Sequence, residues 1–197
     1  QRPPSGCVEY DEDMRSWAGP FIMASINTRI VLRSNALWPN HYSKNFLYDE
    51  AMLLGDGEKG RKAATKLAFG MKWGMIAMAI APIRAFAQRF FLPKPGEGPT
   101  PEQQRNGMFD LHFIGTTEAG DKLVTRVTGD RDPGYGSTAK MLAQAGISLR
   151  RDVDQKSVGG GFWTTATVFN ERFYERLQSH AGLTFEVLET TPSMDAE

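Results

Sequence analysis

The sequence predicts an α+β chain with a mixed or antiparallel sheet. Three observations carry that expectation. Phe109, Leu111 and Phe113 alternate with other residues, and so do Leu123, Thr125 and Val127 after a turn, which is the pattern of a β-hairpin. Ile22, Ile26, Ile30 and Leu37 recur at helical spacing, as do Phe169, Phe173 and Leu177. Proline and glycine clusters separate these segments.

Taken in order, residues 1–15 are polar and read as an extended lead-in. Ser16 or Gly19 is placed to cap a helix that Pro20 enters in its first turn, where a missing N–H costs nothing. That helix should end before Pro39, because the residue preceding proline disfavours the α region. Residues 46–54 form a short strand candidate, closed by Gly55-Asp56-Gly57.

Residues 59–92 are the most apolar part of the chain, and Pro82 should kink them. The uncharged run from Trp73 to Ile83 is too short to cross a bilayer as a helix. A buried or interface helix pair fits it, and so does a membrane-surface helix or the wall of a lipid-sized pocket. Three of the nine methionines and two aromatic residues supply the candidate pocket: Met71, Met75 and Met78, with Trp73 among them and Phe86 beyond.

Residues 93–101 are a linker or surface loop, rich in proline and glycine. The hairpin covers residues 108–128. A loop over 129–137 leads into a helix over 138–149. Gly159-Gly160-Gly161 precedes a last helix over 167–180, for which Gly182 is a natural C-terminal residue. Residues 183–188 form a final strand.

Composition excludes several classes. The chain has 197 residues, 41% hydrophobic and 23% charged, in the range of an ordinary soluble globular protein. Lys+Arg and Asp+Glu both number 23, so there is no basic excess for nucleic acid. The single cysteine, Cys7, allows no intrachain disulfide and no cysteine-rich zinc site. It fits a reducing compartment, and the opening residues carry no signal peptide, so a cytoplasmic or peripheral-membrane location is expected. His41, His112 and His180 lack metal-ligand spacing, and no metal is expected. There is no G-x-S-x-G elbow and no Walker A sequence.

Candidate site residues remain. Gly134 and Gly136, just before a helix, could offer backbone N–H groups to an anion, or simply make a tight turn. Arg29 and Arg33 lie one helical turn apart near Asn27, and repel unless an anion lies between them. That anion is either Asp49 or Glu50, or a carboxylate or phosphate of a ligand. Tyr48, beside Asp49 and Glu50, and Tyr135, near Arg131 and Asp132, are phenols that donate a proton if desolvated.

The wording of several segments goes further. The run from Gly19 to Leu37 (GPFIMASINTRIVLRSNAL) resembles a segment of the saccharopine dehydrogenase-like oxidoreductases. Tyr48-Asp49-Glu50-Ala51-Met52, Gly96-Glu97-Gly98-Pro99, Asp132-Pro133-Gly134-Tyr135-Gly136-Ser137-Thr138-Ala139 and Gly160-Gly161-Phe162-Trp163-Thr164 continue the likeness in the same order. The subgroup it most resembles includes the bacterial trans-acting enoyl reductases of lipid biosynthesis. One departure is visible: Thr164-Thr165-Ala166 stands where the family commonly has Thr-Pro-Ala.

The resemblance implies that residues 16–190 are the C-terminal, substrate-side portion of a two-domain oxidoreductase. The Rossmann half that carries NAD or NADP lies outside this chain, and the last elements would pack on its sheet. It implies an enoyl or related acyl substrate, for which the stretch from Met71 to Phe91 would line a channel. Tyr48 and Tyr135 are then candidate proton donors, and Arg29, Arg33 and Arg131 candidate partners for anionic groups. The fragment alone should be inactive. A homodimer or a membrane surface are further expected partners, and a non-catalytic dimerisation or lipid-surface module is the rival reading.

Overall fold

The computed structural model describes residues 7–38, 42–94 and 96–191 of the chain. They are α+β, with two three-stranded antiparallel sheets and eight helices among the described residues. The chain divides into two compact units, Gln1–Gly96 and Glu97–Glu197.

In the first unit, β1 (Glu9–Asp11) and β3 (Ala51–Leu53) flank β2 (Ser16–Pro20). The expected cap at Ser16 or Gly19 is therefore corrected, because both residues lie in the central strand. Within the lead-in, Glu9–Asp11 is extended and pairs as a strand, while residues 1–6 lie outside the described residues. Ser16 Oγ accepts from the Gly55 N–H at 2.9 Å, and Trp17 exchanges backbone hydrogen bonds with Gly55 and Leu54. Gly19 serves close packing: a Cβ there would sit 3.1 Å from Leu54 and 3.4 Å from Leu67. The helix α1 (Ala24–Leu37) starts later, at Met23, with no side-chain cap. The expected strand over 46–54 shrinks to β3, the three residues that pair in register with β2.

Helix α2 (Gly57–Ala79) begins at Asp56, whose carboxylate accepts from the Gly57 N–H at 2.5 Å and from the Tyr10 hydroxyl at 3.0 Å. It presses on β2 through small residues. Ala64 is fully buried, and a Cβ on Gly60 would lie 1.9 Å from the Gly55 carbonyl oxygen. The helix then breaks at Ile80, which is extended, and α3 (Ala81–Phe90) leaves at 107°. Pro82 sits in the first turn of α3, where its missing N–H is harmless. The Arg84 guanidinium donates to the Met78 carbonyl at 3.4 Å, the acceptor a residue-82 N–H would have used in a continuous helix. No residue of α3 is buried, so the buried-pair reading does not hold for it.

In the second unit, α4 (Pro101–Asn106) begins at the end of the proline-rich run. It starts with a capping box: Thr100 accepts from the Gln103 N–H, and the Gln103 side chain accepts from the Thr100 N–H. The hairpin is present as β4 (Phe109–Thr116) and β5 (Lys122–Gly129), and β6 (Leu183–Thr191) pairs on the other side of β5. Helix α5 (Gly136–Arg151) is followed by the short α6 (Gln155–Val158) and α7 (Thr165–Val168).

The single last helix is corrected to two, α7 and α8 (Glu171–Ala181). The reason is local: the Asn170 side chain accepts from the Arg172 N–H at 3.2 Å and opens a new helix. Gly182 ends α8 in the left-handed conformation, as expected. Phe173, Leu177, Ala181 and Leu183 form the core, packed against Phe109, Val127, Met141, Ala145, Phe169 and Phe185.

Candidate functional site

The candidates of the first unit converge on Glu50. Its carboxylate accepts from Tyr48 Oη at 2.7 Å and from Asn27 Nδ2 at 2.9 Å. Asn27 comes from α1, and Tyr48 and Glu50 from the segment before β3. Burial, then the Glu50 hydrogen bond, and then the negative charges of Glu50 and Asp49 push the Tyr48 phenol far above its ordinary value. Tyr48 is therefore a neutral hydrogen-bond donor across the physiological range, already committed to a carboxylate.

The two arginines stand outside this set. Among the described residues Arg29 makes no ion pair to Asp49 or Glu50, and both Arg29 and Arg33 are exposed. The ion-pair reading of Arg29 is thus corrected: Glu50 is occupied by neutral donors instead.

The candidates of the second unit converge on Asp132. Its Oδ1 accepts from the N–H groups of Gly134 (3.1 Å) and Tyr135 (3.0 Å), and its Oδ2 from Gly136 (2.6 Å). These N–H groups, Gly136 first, hold the Asp132 carboxyl below its usual range. The anion at the start of α5 is this chain's own side chain, in a tight turn. A Cβ on Gly136 would lie 2.9 Å from Asp132 Oδ2 and 2.8 Å from Arg131 Cβ, so glycine is what lets the loop close.

Helix α4 braces the same loop. The Asp132 N–H donates to the Gln104 carbonyl at 3.1 Å, and a Cβ on Gly107 would collide with the Asp132 backbone. Arg131 is half-buried, with its carbonyl accepting from Ser137 Oγ at 3.1 Å. The Tyr135 ring lies against Gly98 and remains largely exposed.

A dinucleotide cradle needs free N–H groups where a parallel strand meets a helix. Both sheets here are antiparallel, and the N–H groups of the glycine loop are engaged by Asp132. Among the described residues no such cradle is formed.

The apolar set does not line one cavity. Met71, Met75 and Met78 recur at helical spacing along one side of α2, and Trp73 points from the opposite side with Phe69 and Ile76. Phe86 belongs to α3 and is exposed. Shallow depressions lie elsewhere, one lined by Asp152, Arg172, Arg176 and His180, another by Glu58, Lys62, Lys66 and Phe69.

Three polar clusters escaped sequence reasoning. Asp152, at the end of α5, takes a two-pronged hydrogen bond from Arg176 of α8 at 2.5 and 3.1 Å. Arg126 on β5 bridges Asp110 at 2.6 Å and Glu186 at 3.7 Å across the sheet. His112 Nε2 lies 3.3 Å from Asp110, and its Nδ1 is buried without a partner. Lys140 ties α5 to Asp130, at 2.8 Å. Apart from Asp110 and His112, neighbours on one face of β4, these pairs join residues ten or more apart, so no local signal marks them except the alternation of charged residues on the strand face opposite the hairpin's apolar one. Among the described residues no group of three metal-ligating side chains is gathered, and His41 lies outside the described residues.

No family model and no solved structure matches the chain. Curated relatives do. A protein of Mycobacterium tuberculosis, provisionally named a trans-acting enoyl reductase, is 33% identical over 173 residues, 86% of this chain and 41% of its own length. Trans-acting enoyl reductases of Mycobacterium ulcerans and of Mycobacterium bovis are 34% and 32% identical over 82% of the chain and 39% of their own lengths. The chain spans about two fifths of the length of the curated relatives it matches.

Proposed function

We propose that this chain is the substrate-side portion of an oxidoreductase that reduces an enoyl substrate with a nicotinamide cofactor. The observation that carries the proposal is the similarity to trans-acting enoyl reductases over most of the chain. The resemblance of its segments to saccharopine dehydrogenase-like oxidoreductases supports the same reading, in which a dinucleotide-binding half belongs to the same protein. Antiparallel sheets and an internally filled glycine loop agree with a division of labour in which another portion holds the cofactor.

In this reading the cofactor supplies hydride when bound, and this chain positions the acceptor and keeps water from it. Tyr135 takes the proton-donor place ahead of Tyr48, because its phenol is exposed while that of Tyr48 is tied to Glu50. Arg131, in the same unit as Tyr135, is the guanidinium group offered to an anionic part of the substrate.

The test is NADPH consumption with an enoyl thioester. The expected result is no cofactor binding by this chain alone, and thioester-dependent turnover when it is joined to a dinucleotide-binding half. Turnover by this chain alone, or NADPH binding without turnover in the joined protein, overturns the proposal.

A further inference from the structure

The angled helix pair α2–α3 leaves an apolar surface uncovered. Along α2, Lys62, Lys66, Phe69, Trp73 and Ile76 follow one another at four- and three-residue steps and form one exposed stripe, basic at its start and apolar at its end. On α3, Ile83, Phe86 and Phe90 share a face, and Phe91 and Leu92 continue it. Phe86, Phe90 and Phe91 are 58%, 64% and 76% exposed, and touch one another with ring centroids 4.9 and 5.9 Å from Phe86. Arg84, Gln88 and Arg89 take the other side of α3, with the Arg89 guanidinium 6.0 Å from the Phe90 ring.

Charge singles out the occupant. Residues 57–94 hold eight lysines and arginines against one acid, Glu58, a net charge of +7 in a chain whose total is zero. A second copy would bring an equal positive charge against this face, which like-charge repulsion opposes. An apolar protein partner has no use for the cations.

We infer that α3 and the outer stripe of α2 dock on an anionic lipid surface. No single helix among the described residues is long and apolar enough to cross a membrane, whereas an amphipathic helix with aromatics on one side and arginines on the other lies in the interface. Phe86, Phe90 and Phe91 enter the acyl boundary. Trp73 sits at headgroup depth, where an indole ring is favoured. Lys62, Lys66, Arg89 and Lys94 meet the lipid phosphates. This does not rest on the enoyl-reductase reading.

The experiment is co-sedimentation of the full chain with vesicles of phosphatidylcholine alone, and of phosphatidylcholine and phosphatidylglycerol in equal parts. Binding is expected only to the second, and should weaken as salt is raised. Phe86→Asp and Phe90→Asp should each lower partitioning by roughly tenfold or more. Lys62→Glu with Lys66→Glu should lower it by at least about fivefold per charge. All four positions are exposed, so the fold is retained, as circular dichroism checks. A blue shift that disappears in Trp73→Phe is the local signature. No binding to phosphatidylglycerol vesicles, equal binding to both vesicle types, or a dimer in solution that Phe86→Asp dissolves while vesicle binding is absent overturns the inference.

Discussion

The carboxylate of Asp132 accepts the backbone N–H of Gly136 at 2.6 Å and so occupies, from within the chain, the anion position at the head of α5. The two residues depend on one another. Asp132 satisfies donors that a helix start leaves open, and Gly136 allows the backbone to approach the carboxylate.

Replacing that carboxylate should loosen the loop. Asp132→Ala is expected to lower Tm by a few degrees. The pH sign follows from a carboxyl held below its usual range. Its contribution is complete above the unfolded value of about 3.9 and is lost as pH falls through the lower folded value. The Tm difference between wild type and Asp132→Ala should therefore narrow under acid. A difference that is constant through acid pH contradicts the assignment.

Gly60 has no room for a side chain beside the Gly55 carbonyl. Gly60→Ala is expected to destabilise the first unit by about 1–3 kcal/mol, despite the better helix propensity of alanine. Urea denaturation checks it. A stabilised variant would mean that α2 does not press on β2 at this point.

Leu177 is buried between Phe173 and Ala181 in the second unit. Leu177→Ala should cost about 2–5 kcal/mol, read as a lower urea midpoint. Leu142, largely exposed on α5, should tolerate the same change within about 0.5 kcal/mol.

Tyr48 should resist alkali. The chain has five tyrosines. In a spectrophotometric titration, the difference between wild type and Tyr48→Phe should show no ionisation near the ordinary value of about 10. Because the folded state holds this proton more tightly than the unfolded state, its contribution to stability is present at neutral pH and declines as pH rises above about 10. Ionisation at the ordinary value would remove Glu50 as its partner.

Elements whose signals are local were legible in the sequence. The hairpin of β4 and β5 follows from strict alternation around a turn, and the end of α8 from one glycine. The strand β2 was not legible, because Ser16, Gly19 and Pro20 also suit a helix start, and what makes them a strand is pairing with residues 51–53 and the close approach of Gly60 and Ala64. The break before α8 and the start of α4 are each marked in the sequence by a single capping residue, Asn170 and Thr100, a weaker signal than periodicity. At the candidate sites, sequence named Tyr48 and Glu50 together, and Asp132 beside Tyr135, but not the hydrogen bonds that occupy them. The apolar run was visible too. Periodicity describes a helix's faces without saying what lies against them, and on α3 it is solvent.

The central position of β5 sets an order of events during synthesis. In the first unit, all three strands have been made by Leu53, and its sheet is available for pairing while the remainder is still being translated. In the second, β4 and β5 are made together but β6 follows more than fifty residues later. Until Leu183–Thr191 leaves the ribosome, the β5 edge of the hairpin is also open and its apolar face lacks Leu183 and Phe185. That half-built sheet is the form of this chain most exposed to mispairing with other nascent strands, and the one a chaperone would meet.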